Sequence, residues 1–235
     1  MNKKAQFINL GLIGYKEAWD YQSEVFNRIL SVKSENRNLP ENAQLPTENY
    51  VIFCEHPHVF TLGKSGNENN LLIPKEKLSS IRATYHHINR GGDITYHGPG
   101  QIVGYPVIDM ENFFTDIHKY MRYMEEAVIQ TVRLYGIEAG RIPGLTGVWV
   151  NPDDVTTARK ICALGVKTSR WVTMHGFALN VNTDLSYFDY IIPCGINDKA
   201  VTSMEKELGS PLDMLAVQQV LKSRLQEQFG FEWLH

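Results

Sequence analysis

Cys194 stands between Pro193 and Gly195, at a chain reversal rather than inside a regular element. Lys160 lies 34 positions earlier, in the run Arg159-Lys-Ile-Cys-Ala-Leu-Gly-Val166. A thiol attacks as its thiolate, and with an ordinary pKa near 8.5 only about a few per cent is ionised at neutral pH. A neighbouring cation raises that fraction, and a lysine in a partly dehydrated pocket can lose its proton and act as a base. The pair therefore points to a thiol nucleophile and acyl transfer. Two further cysteines compete for the role. Cys54, in the apolar run 50–55, reads as an inert core thiol. Cys162, two positions from Lys160, is the serious rival. Cys194 is preferred because a loop beside glycine offers access and unengaged backbone N–H donors. Taken alone, a lysine at the start of a strand is ordinarily a solvated surface residue, and spacing does not remove that reading for Lys160.

The densest unusual segment is Arg90-Gly-Gly-Asp-Ile-Thr-Tyr-His-Gly-Pro-Gly-Gln101, with four glycines and one proline in twelve residues. It reads either as a ligand-binding turn whose backbone N–H groups face a substrate or as two hairpin turns with glycine where φ is positive. It matches neither the phosphate loop nor the dinucleotide fingerprint. In the stretch 174–182, His175 is a candidate base and Gly176 a point of close approach, against an ordinary strand with a glycine bulge. The histidines His56, His58, His86, His87, His97 and His175 lack the helical His-x-x-x-His spacing of a zinc site, so no metal is expected.

These residues need elements to hold them. Tyr15, Trp19, Gln22, Val25, Phe26, Ile29 and Leu30 recur at helical spacing, and the polar stretch 34–49 after them reads as a surface insertion. Strands are expected at 50–55, 58–62, 84–89, 94–96 and 101–108. A long helix carries the stripe Ile117, Tyr120, Met121, Met124, Val128, Thr131, Val132 and Tyr135, closed by Gly136. Strands follow at 147–150, 161–166 and 171–181. In the strand at 161–166, alternation puts Lys160, Cys162 and Leu164 on one face and Ile161, Ala163 and Gly165 on the other. A last helix is expected to start with Ser210 as N-cap, Pro211 at its first position and Asp213 at the capping-box position. Strands cluster instead of alternating with helices, which favours an α+β fold with helices packed on one side of the sheet.

Composition narrows the class further. The 235 residues are 43% hydrophobic, enough for a sizeable core. A net charge of −3, from 23 basic and 26 acidic residues, gives no global pull toward nucleic acid or an anionic membrane. The N-terminus has no long apolar h-region, no run nears the roughly 20 residues of a membrane span, and three cysteines without a Cys-x-x-Cys pair argue against a disulfide framework. A reduced cytoplasmic protein is expected.

Five segments then occur in one order: Glu55-His-Pro-His-Val-Phe-Thr-Leu-Gly63, Arg90 to Gln101 continuing Ile-Val-Gly-Tyr-Pro106, Arg159 to Val166, His175-Gly-Phe-Ala-Leu-Asn-Val181, and Pro193-Cys-Gly-Ile196. Together they resemble the lipoyl(octanoyl) transferases, which move octanoate from acyl carrier protein to protein. The resemblance implies a mixed β-sheet backed by helices, like the catalytic domain of biotin and lipoate protein ligases, with residues 1–235 as one catalytic domain. It implies a dyad in which Cys194 carries the acyl thioester and Lys160 lowers its pKa. It maps substrate contacts onto Arg90, Gly91, Gly92, Asp93, Ile94, Thr95, Tyr96 and His97; onto Ala163, Leu164 and Gly165; and onto Gly176, Phe177 and Ala178. Many members carry Gln where this chain has Asp93. The donor implied is octanoyl-acyl carrier protein. The acceptors are lipoyl domains of 2-oxoacid dehydrogenases or the glycine-cleavage H protein, with no cofactor, nucleic acid or membrane. Carrier proteins are acidic, so Lys64, Arg82, Lys167 and Arg170 are expected to form a basic landing patch. The competing readings are an ATP-dependent lipoate ligase, a cysteine-dependent amidotransferase between lipoyl domains, and a non-enzymatic lipoyl-domain-binding protein.

Overall fold

The computed structural model describes residues 1–154, 156–192 and 200–234. Its main sheet runs in the order β12 (Glu232–Trp233), β1 (Lys4–Leu12), β2 (Tyr50–Glu55), β6 (Gln101–Val107), β10 (Val172–Asn180), β9 (Arg159–Ser169), β8 (Leu145–Val150), β7 (Ala139–Ile142). A short strand β11 (Ala200–Val201) also pairs with β9. β12, β1 and β2 run parallel, whereas the pairs β2–β6, β6–β10, β10–β9, β9–β8 and β8–β7 are antiparallel, so the sheet is mixed. A smaller sheet sets β3 (Val59–Leu62) between β4 (Thr84–His87) and β5 (Ile94–His97).

Strand alternation feeds two cores. Val51 and Phe53 of β2 point into one with Ile102, Phe177 and Leu179, covered by α2 (Ile117–Leu134) and α4 (Met214–Phe229). Ile52 and Cys54 point the opposite way with Val103, Tyr105 and Met174, covered by Ala18, Val25, Phe26 and Ile29 of α1 (Tyr15–Asn36). Helices therefore cover both faces, not one. The burial of every residue of β6 and β10, and of all but Glu55 in β2, records this, since strands buried on both faces lose their polar alternation.

The stretch 34–49 begins as the end of α1, and Asn36 pins the rest by exchanging two hydrogen bonds with the backbone of Leu45. The α4 start differs from expectation. Asp213, not Ser210, is the N-cap, and its Oδ1 accepts from the N–H groups of Leu215 and Ala216. A carboxylate at the positive end of the helix outcompetes the Ser-Pro signal three residues earlier.

Candidate active site

A cavity of about 460 Å³ opens where the two sheets meet. Its polar wall carries Arg90, His97, Gln101, His175 and Asn180; its apolar wall carries Ile117 and Met121 of α2 with Leu164 and Phe177. Of the residues the resemblance maps to substrate, all but Tyr96 line it. Tyr96 is fully buried in the small sheet's core, packed on Phe60 and Phe188, with its hydroxyl 2.7 Å from His58 Nδ1. Cys194 lies outside the described residues.

Lys160 is on the cavity wall, half-buried, with Nζ 4.7 Å from the centroid of the Trp149 ring. A bulge places it there. Val148 registers with Cys162 but Trp149 with Lys160, so Ile161 is the extra residue. The bulge reverses the expected alternation: Cys162 follows Val148 into the α2–α4 core, and Lys160 shares its face with Ala163 and Gly165. Gly147 makes room for the lysine stem, because a Cβ there would fall 2.8 Å from the Cys162 carbonyl and 3.2 Å from Lys160 Cε. The Gly147 N–H in turn donates to Oε1 of Glu125, which is buried and paired with Arg122 and Arg141. Neither rival thiol is poised for attack. Cys54 and Cys162 are both buried, and burial pushes both thiols well above the ordinary range.

The glycine-rich segment packs directly on β9. The Gly91 N–H donates to the Val166 carbonyl at 2.9 Å. The Val166 carbonyl thus points to the β8 side, and by the two-residue repeat of a strand so do the N–H and C=O of Leu164. The β8 register stops at Cys162, which leaves this edge facing the cavity. Gly165 permits the approach: a Cβ there would lie 2.9 Å from the Gly91 carbonyl and 3.1 Å from Arg90 Cδ. Gly165→Ala is accordingly expected to lever the turn off the strand, raising KM for the acyl donor about tenfold while the protein still folds. Steady-state kinetics with a melting curve check this.

Arg90 anchors the turn from below, with Nη2 donating to the Thr61 carbonyl (2.8 Å) and Oγ1 (3.0 Å) and Nη1 to the Gly91 carbonyl (3.0 Å). Asp93 also serves geometry. Its Oδ1 accepts from the N–H groups of Ile94 and Asn67 and its Oδ2 from Asn70 Nδ2. Two carboxylate oxygens serve three donors, where a glutamine would offer one acceptor oxygen. Asp93 thus lines the cavity while its side chain holds the loop 67–70.

His175 has a left-handed φ of 62° within β10, and its N–H donates to Gln22 Oε1 rather than to β6. Such backbone strain, of order 1–3 kcal/mol, persists where surrounding structure enforces it. Burial, and then the positive charges of Arg90 and Lys167, lower the His175 pKa to about 3. At neutral pH so low a pKa makes its imidazole a weak base, and the ring forms part of the polar wall. Below it the buried network continues: His97 Nδ1 lies 2.8 Å from Gln101 Oε1, and Gln101 Nε2 donates to Asn180 Oδ1 at 2.8 Å. These neutral side chains carry no recognisable spacing, and the resemblance implies a substrate contact only for His97 among them.

The expected basic patch divides. Lys64 donates its backbone N–H to Arg90, and Lys167 follows Val166, so both flank the glycine-rich turn. Arg82 sits instead near His58 and Tyr187, and Arg170 lines a separate polar cavity with Asp109 and Glu111.

A mixed sheet backed by helices is also the fold of solved lipoate-protein and biotin-protein ligases. By structure the chain is similar to lipoate-protein ligase A bound with ATP (TM-score 0.68, 15% identity, covering 100% of this chain and 88% of that one). It is similar to a biotin protein ligase from Aquifex aeolicus at a TM-score of 0.51 and 11% identity, covering 97% of this chain and 71% of that one. At such identities these likenesses establish the fold alone. The pattern of the lipoyl protein ligase A/B catalytic domain matches residues 15–226, and the chain belongs to that family. Its sequence is 59% identical over 228 residues to an octanoyltransferase of Cytophaga hutchinsonii, covering 97% of this chain and 93% of the relative. It is 58% identical over 235 residues to that of Christiangramia forsetii, covering 99% and 98%. The protein is an acyltransferase, which removes the reading as a non-enzymatic binding protein. Among the described residues no helix is long and apolar enough to cross a membrane.

Proposed function

We propose that this enzyme transfers an octanoyl group from octanoyl-acyl carrier protein to a lysine of a lipoyl-accepting domain, through a thioester on Cys194. The observation that carries the reading is Lys160 on the wall of a cavity that is apolar on one side and edged by strand backbone on the other. Octanoyltransferase relatives at nearly 60% identity support the acyl group. The burial of Cys54 and Cys162, the two cysteines among the described residues, supports Cys194 as the nucleophile.

The chemistry follows in two balanced halves. Lys160 takes the Cys194 proton; the thiolate attacks the octanoyl carbonyl, and the carbon–sulfur bond to the carrier breaks. Lys160 returns the proton to the departing carrier thiolate. In the second half the acceptor lysine amine attacks the Cys194 thioester, an amide bond forms, and the amine's proton passes through Lys160 to the released thiolate. The edge N–H of Leu164 is the donor we assign to the oxyanion in each half. Ile117, Met121, Leu164 and Phe177 receive the alkyl tail, whose burial contributes roughly 5 kcal/mol at about 0.8 kcal/mol per methylene. Lys64 and Lys167 beside the turn meet the acidic carrier. Residues 1–235 act as one catalytic domain, in the cytoplasm, on lipoyl domains of 2-oxoacid dehydrogenases or the H protein.

An activated thioester donor makes ATP unnecessary. Octanoyl-carrier protein is expected to acylate a lipoyl domain without ATP, and octanoate with ATP to give no product. ATP-dependent acylation that survives Cys194→Ser would overturn this in favour of a ligase.

A further inference from the structure

Lys160 owes its position to more than the bulge. β11 lies in parallel register with the start of β9, Ala200 opposite Arg159 and Val201 opposite Lys160. The Thr202 N–H donates to the Lys160 carbonyl at 2.9 Å. A two-residue strand held by so little backbone pairing does not fix its own register. Side chains fix it here. Glu207, in the short helix α3 (Met204–Leu208), receives a two-pronged contact from Arg159, with Nε 2.6 Å from Oε1 and Nη2 2.5 Å from Oε2. The fully buried Thr202 adds its hydroxyl to the same Oε1. From the other side Asn180 Nδ2 donates to the Thr202 carbonyl at 2.9 Å, which ties the strand to the polar cavity wall through Gln101.

We propose that Glu207 is a positioning residue for acyl transfer: by clamping Arg159 and Thr202 together it sets β11 against β9 and so fixes Lys160 on the cavity wall. The inference rests on the proposed role of Lys160. Its physical basis is independent of that role. A carboxylate engaged by a planar guanidinium in two-pronged fashion, and by a buried hydroxyl as well, is geometrically specific where an exposed ion pair is not. The Glu207 carboxyl is held below its ordinary range, by Arg159 first and then Thr202, as such an arrangement requires. Glu207 itself is absent from the residues that line the cavity, so its effect on transfer must pass through the residues it holds.

The test combines hydrogen exchange at the Thr202 amide with steady-state kinetics, on Glu207→Gln and Glu207→Ala in the full chain. Glu207→Gln keeps the shape and so guards against a mere folding failure. The expected result is Thr202 exchange at least about tenfold faster while amides of the β9–β10 ladder keep their protection. With it, kcat falls about 10- to 100-fold, as a displacement of order 1 Å at a reacting group produces, and KM for the octanoyl carrier stays within about twofold. Unchanged Thr202 exchange overturns the clamp. Faster exchange throughout the sheet with kcat per folded molecule unchanged makes Glu207 a structural residue only and overturns its role in transfer. Failure of the underlying reading looks different: Lys160→Ala would then turn over normally, and the exchange arm would still decide whether Glu207 sets the register.

Discussion

Lys160→Ala slows acylation of the enzyme about a hundredfold at pH 7 and moves the pH of half-maximal rate up toward about 8.5, the pKa of an unassisted thiol. The argument is electrostatic and geometric. Without the amine that the proposed dyad supplies, the Cys194 thiol must ionise unaided, and below its pKa the rate then rises about tenfold per pH unit. Lys160 stands on the cavity wall over Trp149, so its loss also removes a cation–π contact of about 0.5–2 kcal/mol. That is a modest fraction of a typical folding stability, and the melting curve should move by only a few degrees. A stopped-flow or quench series across pH 6 to 9, with octanoyl-carrier protein as donor, separates the outcomes. An upward shift with intact folding supports the dyad; an unchanged profile removes Lys160 from the mechanism.

The second large effect is on stability. Between pH 6 and pH 5 the folding free energy is expected to fall by roughly 3 kcal/mol, from three buried histidines. Burial first, and neighbouring positive charge for the latter two, hold His56 at about 4, His97 at about 3 and His175 at about 3. All three are below their unfolded value near 6.5. The sign follows from proton uptake. As pH drops below 6.5 the unfolded chain binds protons at these sites and the folded chain does not, so stability present above 6.5 is progressively lost below it. Each site contributes up to about 1.4 kcal/mol per pH unit over that window. The buried contacts give the cause a structure. His56 Nδ1–H donates to the Ile13 carbonyl and leaves Nε2 to accept from Tyr105, so a second proton would displace the donation of the Tyr105 hydroxyl. Urea unfolding at pH 7, 6 and 5 reads the effect. A flat profile over that range would show that these rings take up protons in the folded state.

Much of the scaffold was readable from side-chain pattern. β2 begins and ends where its apolar run does, and the α2 stripe at 117–132 marks the face that packs on the sheet. What pattern missed depends on partners distant in the chain. The facing of Lys160 hangs on a bulge set by Val148 and Trp149, and a one-residue bulge inverts every inference from alternation. The burial of Cys162 follows from the same bulge, so local proximity to Lys160 made it a rival that the fold disposes of. Asp213 as helix cap is masked in the sequence by Ser210-Pro211, which is itself a start signal. The N-terminal strand β1 carries no clear strand signal because its exposed residues break the alternation. The network of Gln101, Asn180 and Thr202 is polar, scattered over a hundred positions, and visible only once the strands are side by side.

The central claim is that Cys194 carries the octanoyl group between donor and acceptor. Intact mass spectrometry of the enzyme mixed with octanoyl-acyl carrier protein in the absence of acceptor, followed by peptide mapping, tests it most directly. The account predicts one octanoyl adduct on the peptide containing Cys194, lost on addition of a lipoyl domain and absent in Cys194→Ser. An adduct on Cys162, or acceptor acylation with no enzyme adduct at any time, would contradict it.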